Sequence, residues 1–394
     1  MKKVLILISC FLLIFPLLAK ASGTEAVMQT VNSTDLAPNA KSAVLLEATT
    51  GKVLFEKNSH EKLPPASMTK IMSMLLVIEA IEKGNLSWDE MITVSENASS
   101  MGGSQILLET GEQMTVSDLF KGVAVASGND AVVALAEAVA GTTDEFVLMM
   151  NNKVKELGLK DTNFKNPHGL DEANHYSTAY DMAMISKELV KHKKVLEYTG
   201  IYEDYLRKGT EREFWLTNTN KLTRFKAGVD GLKTGYTEGA GYCLTGTMSK
   251  NNMRLIATVM GEETSAIRNT EVSTLLDYGF AQYQSNQVLS TNNIVSKVKV
   301  NKGKEEYSDV VPTEEVNLIL KKNEELGKIT YDINIENVAS PVKVGDVIGK
   351  LKVLRDKNVI SEVNLTVKKN NDSANFLELY LRHFNHMING KISF

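Results

Sequence analysis

The sequence predicts an α+β fold, in which a domain of helices and antiparallel strands precedes a small all-β domain and a terminal amphipathic helix. A strand–turn–strand pattern leads into an apolar helical segment over residues 67–83. Strand-like segments return over residues 227–262, before a closing helix at about 264–283. After about residue 285 the chain consists of short alternating strands. Helices mixed with antiparallel strands are typical of α+β domains, and alternation is typical of strands with one buried face.

The N-terminus predicts an exported chain. Lys2 and Lys3 precede an apolar run over residues 4–18, and Ala19-Lys20-Ala21 supplies the small residues of a signal-peptidase site. Because the run is short for a membrane span, we predict cleavage after Ala21; the alternative is an uncleaved anchor helix.

The composition is that of a globular chain with its own core. Hydrophobic residues make up 43% and charged residues 23% of the 394 residues, and the formal net charge of -4 argues against a nucleic-acid partner. Cys10 leaves with the signal peptide, so Cys243 has no partner for an internal disulfide. No His-Glu-x-x-His or Gly-x-Ser-x-Gly motif occurs, and the six histidines lack zinc-ligand spacing. We therefore expect no metal and no other cofactor.

Composition and pattern divide the chain into five segments. These are a signal peptide (1–21), a flexible leader (22–40), an α+β domain (41–284), a β-rich domain (285–370) and an amphipathic helix (374–394).

Turn and cap residues delimit the elements of the first domain. A hairpin is predicted over residues 42–55, with Thr49-Thr50-Gly51 as its turn. Leu63-Pro64-Pro65-Ala66 excludes a helix, so the apolar helix begins at Ser67 and ends before Gly84. Thr115-Val116-Ser117-Asp118 is a capping box for a helix that runs toward Ala126, and another helix is expected over residues 130–140.

The last part of the chain is predicted to be strands and one helix. The strands are expected at residues 295–300, 316–320, 329–335, 342–354 and 359–367. In the final helix, apolar residues recur at helical spacing: Phe376, Leu377, Tyr380, Leu381, Phe384, Met387 and Ile388. Polar residues fall on the other side: Glu378, Arg382, Asn385 and Asn389. This helix is too short to span a bilayer, so it either lies in a membrane interface or docks on the β-rich domain.

Three short motifs occur in order along the first domain: Ser67-Met68-Thr69-Lys70, Ser127-Gly128-Asn129 and Lys233-Thr234-Gly235. This is the S-x-x-K, S-x-N, K-T-G set of serine D,D-peptidases and β-lactamases. S-x-x-K also begins at Ser59, Ser296 and Ser340, but those copies run into prolines or lie in strand patterns.

Position favours Ser67 as the nucleophile. At the first turn of a buried helix, Ser67 and Lys70 share one face and can touch, and the helix N-terminus supplies backbone N–H groups for an oxyanion. Burial and the charge of Lys233 favour a neutral Lys70, which suits a general base. The alternative is that Ser67 is a plain N-cap serine.

The other two motifs are assigned to proton transfer and substrate binding. Ser127, in a loop between helices, is placed to relay a proton to the leaving amine; the alternative is a helix-capping turn. Lys233 and Thr234 on a strand would face a terminal carboxylate, and Gly235 permits close backbone approach. The alternative is a strand end with an exposed lysine.

The sequence resembles the low-molecular-mass penicillin-binding proteins, the D-alanyl-D-alanine carboxypeptidases of peptidase family S11. The resemblance extends to Pro64-Pro65-Ala66-Ser67, Ala126-Ser127-Gly128-Asn129-Asp130, Asn166-Pro167-His168-Gly169-Leu170 and Asp230-Gly231-Leu232-Lys233, and to the β-rich domain and the tail. It implies a serine β-lactamase/D,D-peptidase-like catalytic domain.

The resemblance implies roles for individual residues. Ser67 is the acyl-ester nucleophile, Lys70 the proton acceptor and Ser127 a further catalytic residue. Substrate binding is assigned to Lys233, Thr234, Gly235, Asn129, Tyr236 and Arg268. Several members of the family have histidine after Lys-Thr-Gly, whereas this chain has Tyr236, which keeps an oxyanion N–H but leaves open any side-chain role. Arg268 is placed here by its position before the last helix of the domain, with a surface ion-pair residue as the alternative.

The expected partners are peptidoglycan stem peptides, β-lactam inhibitors and the membrane surface, at the outer face of the cytoplasmic membrane. Two other functions share these motifs. A class A-like β-lactamase would place a Glu-x-x-x-Asn after the second motif, and none occurs between residues 150 and 180. A non-catalytic penicillin sensor or wall scaffold would not need a nucleophile with its base.

Overall fold

The structure, a computed structural model, describes residues 35–389. The predicted signal peptide and most of the predicted leader lie outside the described residues, as do the last five residues of the predicted terminal helix. From Leu36 onward the chain belongs to one compact unit.

The elements follow one another in a mixed order. The helices are α1 (Lys70–Glu82), α2 (Glu96–Ser99), α3 (Val116–Lys121), α4 (Asn129–Ala140), α5 (Thr143–Glu156), α6 (Ala179–Leu189), α7 (Lys193–Thr199), α8 (Leu222–Phe225), α9 (Ser265–Gln282) and α10 (Phe376–Ile388). The strands of the first domain are β1 (Ser42–Glu47), β2 (Val53–Lys57), β3 (Met91–Thr93), β4 (Gln113–Thr115), β5 (Glu203–Leu206), β6 (Phe214–Thr217), β7 (Val229–Thr237), β8 (Gly241–Lys250) and β9 (Met253–Glu262). The later strands are β10 (Tyr283–Leu289), β11 (Ser296–Asn301), β12 (Tyr307–Pro312), β13 (Val316–Lys321), β14 (Ile329–Ile335), β15 (Val338–Ala339), β16 (Gly349–Arg355) and β17 (Asn358–Val367).

A five-stranded antiparallel sheet organises the first domain, in the order β2-β1-β9-β8-β7. Both faces of the sheet are covered. Alternate residues of β1 show this, because Val44 and Leu46 join the core on the side of α1 and α6, whereas Ala43 and Leu45 join the core on the side of α9. Successive residues of β1 therefore alternate between two buried faces of the sheet. The α+β fold class is confirmed.

The segment predicted as one helix from Ser67 has two parts. A 3₁₀ turn (Ala66–Thr69) precedes α1, which is buried along most of its length. Ala66 has a positive φ of 47°, a backbone conformation that residues other than glycine adopt rarely. Ser67 thus lies on the tight turn rather than inside the α-helix, and its side chain remains partly exposed.

The segment predicted as one helix from Thr115 toward Ala126 consists of an α-helix followed by a π-helical turn. Thr115 caps α3, accepting a hydrogen bond from Asp118 N at 3.1 Å, and α3 passes into a π turn (Gly122–Ala126). Ser127, with a φ of 65°, then adopts the left-handed conformation, and α4 begins two residues later. The π turn and the left-handed residue together place Ser127, Gly128 and Asn129 at the N-terminal end of α4, where all three are buried.

The second domain is a six-stranded sheet, in the order β14-β16-β17-β12-β11-β15. Val310, Leu351, Val353, Leu365 and Val367 are fully buried in its core. The sequence missed β10, which follows α9 directly and pairs with β13, and it also missed β12.

The strand predicted from residue 342 begins only at Gly349, because a turn precedes it. The turn is closed by two hydrogen bonds, from Lys343 N to Asp346 Oδ2 at 2.7 Å and from Asp346 N to Lys343 O at 3.1 Å.

The terminal helix α10 rests on the second domain by its polar side. Asn375 and Glu378 form a reciprocal capping box. Arg382 donates to Lys304 O at 2.6 Å, and His386 Nε2 lies 3.1 Å from a carboxylate oxygen of Glu306. No residue of α10 is buried. Leu379 is half-buried, whereas the apolar residues predicted for the outer side are exposed: Phe376, Leu377, Tyr380, Leu381, Phe384, Met387 and Ile388. Across residues 35–389, no helix has both the length and the apolar character needed to cross a membrane.

Candidate active site

Ser67 and Lys70 meet at the start of α1. The Nζ atom of Lys70 lies 3.0 Å from Ser67 Oγ, as residues three apart on one helical face allow. Lys70 has no exposed surface, and its Nζ also contacts Asn129 Oδ1 at 2.6 Å and His168 O at 2.7 Å. Two of the three sequence motifs therefore converge on one buried amine.

The surroundings of Lys70 favour its neutral form. Burial lowers its pKa well below the ordinary value, and the charge of Lys233 lowers it further, whereas the carboxylate of Asp130 acts in the opposite direction. A neutral amine has two N–H bonds and one lone pair. Asn129 Oδ1 and His168 O can accept only hydrogen bonds, so they take both N–H groups and leave the lone pair for the hydroxyl of Ser67. This geometry suits removal of the Ser67 proton.

Two more buried basic side chains lie on the side of the site that the sheet forms. Lys233 on β7 is 1% exposed, and Arg268 at the start of α9 is 5% exposed. Burial, followed by the charge of Arg268, lowers the pKa of Lys233 to about 7. Burial likewise lowers the pKa of Arg268 to about 10. Neither side chain forms an ion pair within residues 35–389, so this part of the site attracts an anion.

The remainder of the third motif places β7 against the turn of Ser67. Thr234 Oγ1 donates to Thr219 Oγ1 at 2.7 Å. A Cβ atom on Gly235 would lie 2.8 Å from Pro65 O, so only glycine lets the strand approach this closely. Tyr236 follows, paired with Tyr242 on β8, and is 53% exposed. The two rings contact each other in a tilted arrangement, with centroids 4.3 Å apart.

The second motif is fixed by the loop of residues 102–108. Asn129 Nδ2 donates to Gly102 O at 2.7 Å, and Asn129 N donates to Ser104 O at 2.7 Å. The first of these bonds fixes the orientation of the amide, since it requires the Nδ2 atom to face the loop and the Oδ1 atom to face Lys70. Ser127, two residues earlier, is 4% exposed.

Sequence reasoning identified residues 166–170 only as part of the family resemblance and missed their contribution to the site. Besides the bond from Lys70 to His168 O, this loop accepts a hydrogen bond from Ser73 Oγ to Pro167 O at 2.7 Å. Gly169 has a φ of 90°, and a Cβ atom there would lie 1.9 Å from Ala66 O. The loop thus supports the turn that carries Ser67, with backbone atoms that no side-chain motif reveals.

The two histidines near the site serve as hydrogen-bonding groups in their neutral forms. His175 Nδ1 accepts from Lys165 N at 3.0 Å, so its Nε2 carries the proton and donates to Thr69 Oγ1 at 2.8 Å. Burial lowers the pKa of His175 to about 4 and that of His168 to about 3. Within the described part of the chain, no group of His, Cys, Asp and Glu side chains has the arrangement of a metal site.

Comparison with known proteins identifies the family. The model of the D-alanyl-D-alanine carboxypeptidases, peptidase S11, matches residues 28–264. The chain belongs to this family. The model of the penicillin-binding protein 5 C-terminal domain matches residues 283–373. The resemblance drawn from the motifs is therefore confirmed.

Individual S11 relatives match over most of the chain. The D-alanyl-D-alanine carboxypeptidase DacF of Bacillus subtilis is 47% identical, covering 95% of this chain and 97% of that protein. Penicillin-binding protein 5 of Haemophilus influenzae has a similar structure, with a TM-score of 0.68 and 33% identity over 85% of this chain and 98% of its own. The cefotaxime-bound structure of penicillin-binding protein D2 from Listeria monocytogenes has a TM-score of 0.56 and 32% identity, over 61% of this chain and 97% of its own.

Gly169→Ala tests the support beneath Ser67. The new methyl group would overlap Ala66 O, so the turn must move and the Ser67–Lys70 contact with it. We expect acylation by a fluorescent penicillin to slow by roughly 100-fold, the scale of effect expected when reacting groups are displaced by about 1 Å.

Gly158→Ala is the matched control, since Gly158 also has a positive φ, of 70°, but nothing lies within 4 Å of its Cβ position. We expect that variant to lose about 1–2 kcal/mol of unfolding free energy with an unchanged acylation rate. Equal acylation rates in the two variants would contradict the support role of the loop.

Proposed function

We propose that this S11 peptidase is a serine-type D-Ala-D-Ala carboxypeptidase, which removes the terminal D-alanine from peptidoglycan stem pentapeptides through an acyl-enzyme on Ser67. The proposal is carried by the buried amine of Lys70, held 3.0 Å from Ser67 Oγ with both N–H groups engaged elsewhere. A base in this state activates a serine without any histidine.

The acylation step uses this pair directly. Ser67 Oγ attacks the carbonyl carbon of the penultimate D-alanine while its proton passes to Lys70 Nζ. The backbone N–H groups of Ser67 and Tyr236 bind the oxyanion. The C–N bond then breaks, and the amine of the departing D-alanine receives a proton through Ser127. Water hydrolyses the ester, releasing the shortened peptide and restoring Ser67.

The terminal carboxylate of the substrate is assigned to the cationic side of the site. Lys233, Thr234 and Arg268 are the groups proposed to bind it, and Gly235 lets the peptide lie along β7. Asn129, held by Gly102 O, would bind the acyl part of the substrate with the side-chain amide that also anchors Lys70. A β-lactam carries the same carboxylate and a reactive amide, so it would acylate Ser67 and inhibit the enzyme.

The same groups would serve a β-lactamase or a penicillin sensor, and the assays distinguish them. Rapid turnover of penicillin would favour a β-lactamase. Stable labelling without release of D-alanine would favour a sensor.

Ser67→Ala tests the nucleophile. We expect loss of both D-alanine release from diacetyl-Lys-D-Ala-D-Ala and labelling by fluorescent penicillin, because no oxygen remains to form the ester. Ser59→Ala is the control, since Ser59 begins another S-x-x-K motif and its hydroxyl donates to Glu56 Oε2 at 2.8 Å. Labelling that persists in Ser67→Ala would refute the assignment.

The pH dependence of acylation tests the two lysines. Acylation should rise with pH as Lys70 becomes neutral and fall as Lys233, with its pKa near 7 in the free enzyme, loses the charge that binds the carboxylate. The histidines do not account for a limb near neutrality, because the pKa values of His168 and His175 lie at about 3 and about 4.

Lys233→Arg provides the control for that profile. Arginine keeps its charge to a higher pH than lysine does, so the alkaline fall in the acylation rate should disappear or move to higher pH. A variant that declines over the same pH range as the wild type would remove Lys233 from this role.

We also propose that the mature chain is exported and lies on the outer face of the cytoplasmic membrane, attached through α10. Its outward apolar side includes Phe376, Tyr380 and Phe384, whose rings stack in a row with centroids 6.4 Å apart. Since Arg382 and His386 engage the second domain, the apolar side is the one left for the lipid interface.

Vesicle binding tests the attachment. We expect deletion of residues 376–394 to abolish sedimentation with anionic phospholipid vesicles and to leave D-alanine release from a soluble peptide unchanged. Tyr380→Glu should also weaken sedimentation, because it places a charge on the apolar side. Asn385→Glu adds the same charge on the polar side and should bind as the wild type does; equal losses in both variants would contradict the orientation.

A further inference from the structure

Two guanidinium groups hold the outer side of the loop of residues 102–108. Arg212 donates through Nη2 to Leu107 O at 2.8 Å and pairs with Glu112 Oε2 at 3.1 Å. Arg207, which directly follows β5, donates through Nε to Glu112 Oε1 at 2.5 Å and through Nη2 to Glu112 Oε2 at 3.1 Å. The same group donates to Ile106 O at 3.1 Å and to Leu107 O at 3.4 Å. The side chains of Arg207 and Glu112 are only 10% and 12% exposed, so solvent screens this pair weakly.

The inner side of the same loop is held by a charge of opposite sign. The carboxylate of Asp130 accepts from Ile106 N at 3.0 Å and from Leu108 N at 3.1 Å. Between these contacts Leu107 has a positive φ of 57° and a side chain that is 57% exposed. An anion inside takes N–H groups while a cation outside takes carbonyl groups, so both charges align the same peptide dipoles. Each contact therefore strengthens the other.

The loop between these charges determines the orientation of Asn129. Gly102 O and Ser104 O accept from the side chain and the backbone of Asn129, and Asn129 Oδ1 accepts from Lys70. If residues 106–108 move, the carbonyl groups at 102 and 104 lose their fixed positions, and the amide is free to rotate. The N–H group of Lys70 that now donates to Asn129 could then turn toward Ser67 Oγ and take the place of the lone pair that faces it.

We propose that Arg207 is a positioning residue for Asn129, acting through the loop of residues 102–108, and that it thereby controls the rate of Ser67 acylation. The inference rests on the proposed function. Arg207 itself touches neither Ser67 nor Lys70, and its effect must pass through the loop.

A double-mutant cycle between Arg207→Ala and Asn129→Ala tests this link, with the acylation rate constant for a fluorescent penicillin as the readout. We expect Arg207→Ala to slow acylation about tenfold in the wild-type background. In the Asn129→Ala background the same change should slow it by less than about twofold, because the group that Arg207 positions is gone. An equal factor in both backgrounds would overturn the proposal, since it would mean that Arg207 acts independently of Asn129.

Asp204→Asn is the matched control on the same hairpin. Asp204 pairs with Lys121 at 3.1 Å and Lys208 at 2.7 Å and makes no contact with residues 102–108. It should lower the melting temperature without changing the acylation rate; a rate as low as that of Arg207→Ala would also overturn the proposal.

Two further measurements keep the outcomes separable. If Arg207→Ala fails to fold, Arg207→Lys enters the same cycle with the same criterion, because lysine cannot bridge the carboxylate and two carbonyl groups. D-alanine release by the wild-type chain is measured on the same preparation. If the wild type is acylated but releases no D-alanine, the carboxypeptidase assignment fails, whereas the cycle still decides the role of Arg207.

Discussion

The site depends on the burial of the Lys70 amine. A charged ammonium in this position would lack a counterion in contact and would face Lys233, so the protein holds the group in the form that can accept a proton. The surrounding structure serves this state. The 3₁₀ turn sets Ser67 beside the lone pair, and two rigid carbonyl-type acceptors, His168 O and Asn129 Oδ1, take the N–H groups.

Each of these acceptors comes from a different part of the domain, which explains the role of the surrounding fold. His168 O belongs to the loop that packs beneath Ala66, and Asn129 belongs to the end of α4 that follows the π turn. β7 supplies the opposite wall, at the distance that Gly235 permits. The nucleophile therefore lies where the helices meet the sheet. None of the three motifs forms the site by itself.

The features that the sequence predicted depend on side-chain patterns, whereas several that it missed depend on backbone contacts. Ser67 and Lys70 were predictable because a three-residue spacing on a helix determines contact. The fold class and the sheet around β7 were predictable from alternation and order. The support from residues 166–170 was not, because it depends on carbonyl groups, which every residue carries, and on the absence of a side chain at Gly169. β10 and β12 were missed since their mixed burial gives no clean alternation.

The roles of Asp130 and Arg207 were also hidden, for a reason that bears on how the site works. Both residues act on backbone atoms of a loop far from them in the chain, and the charge of Asp130 also acts on Lys70. Asp130 is near enough to favour the ammonium form, whereas Lys233 opposes it. In the proposed substrate complex, the terminal carboxylate would neutralise part of the charge at Lys233 and Arg268. The repulsion between the charge of Lys233 and a proton on Lys70 would then weaken, so the carboxylate of Asp130 would have a larger relative effect on the pKa of Lys70. The base would thus become stronger when the substrate is bound, so the enzyme would hold a neutral amine at rest and a more basic one at the moment Ser67 must give up its proton.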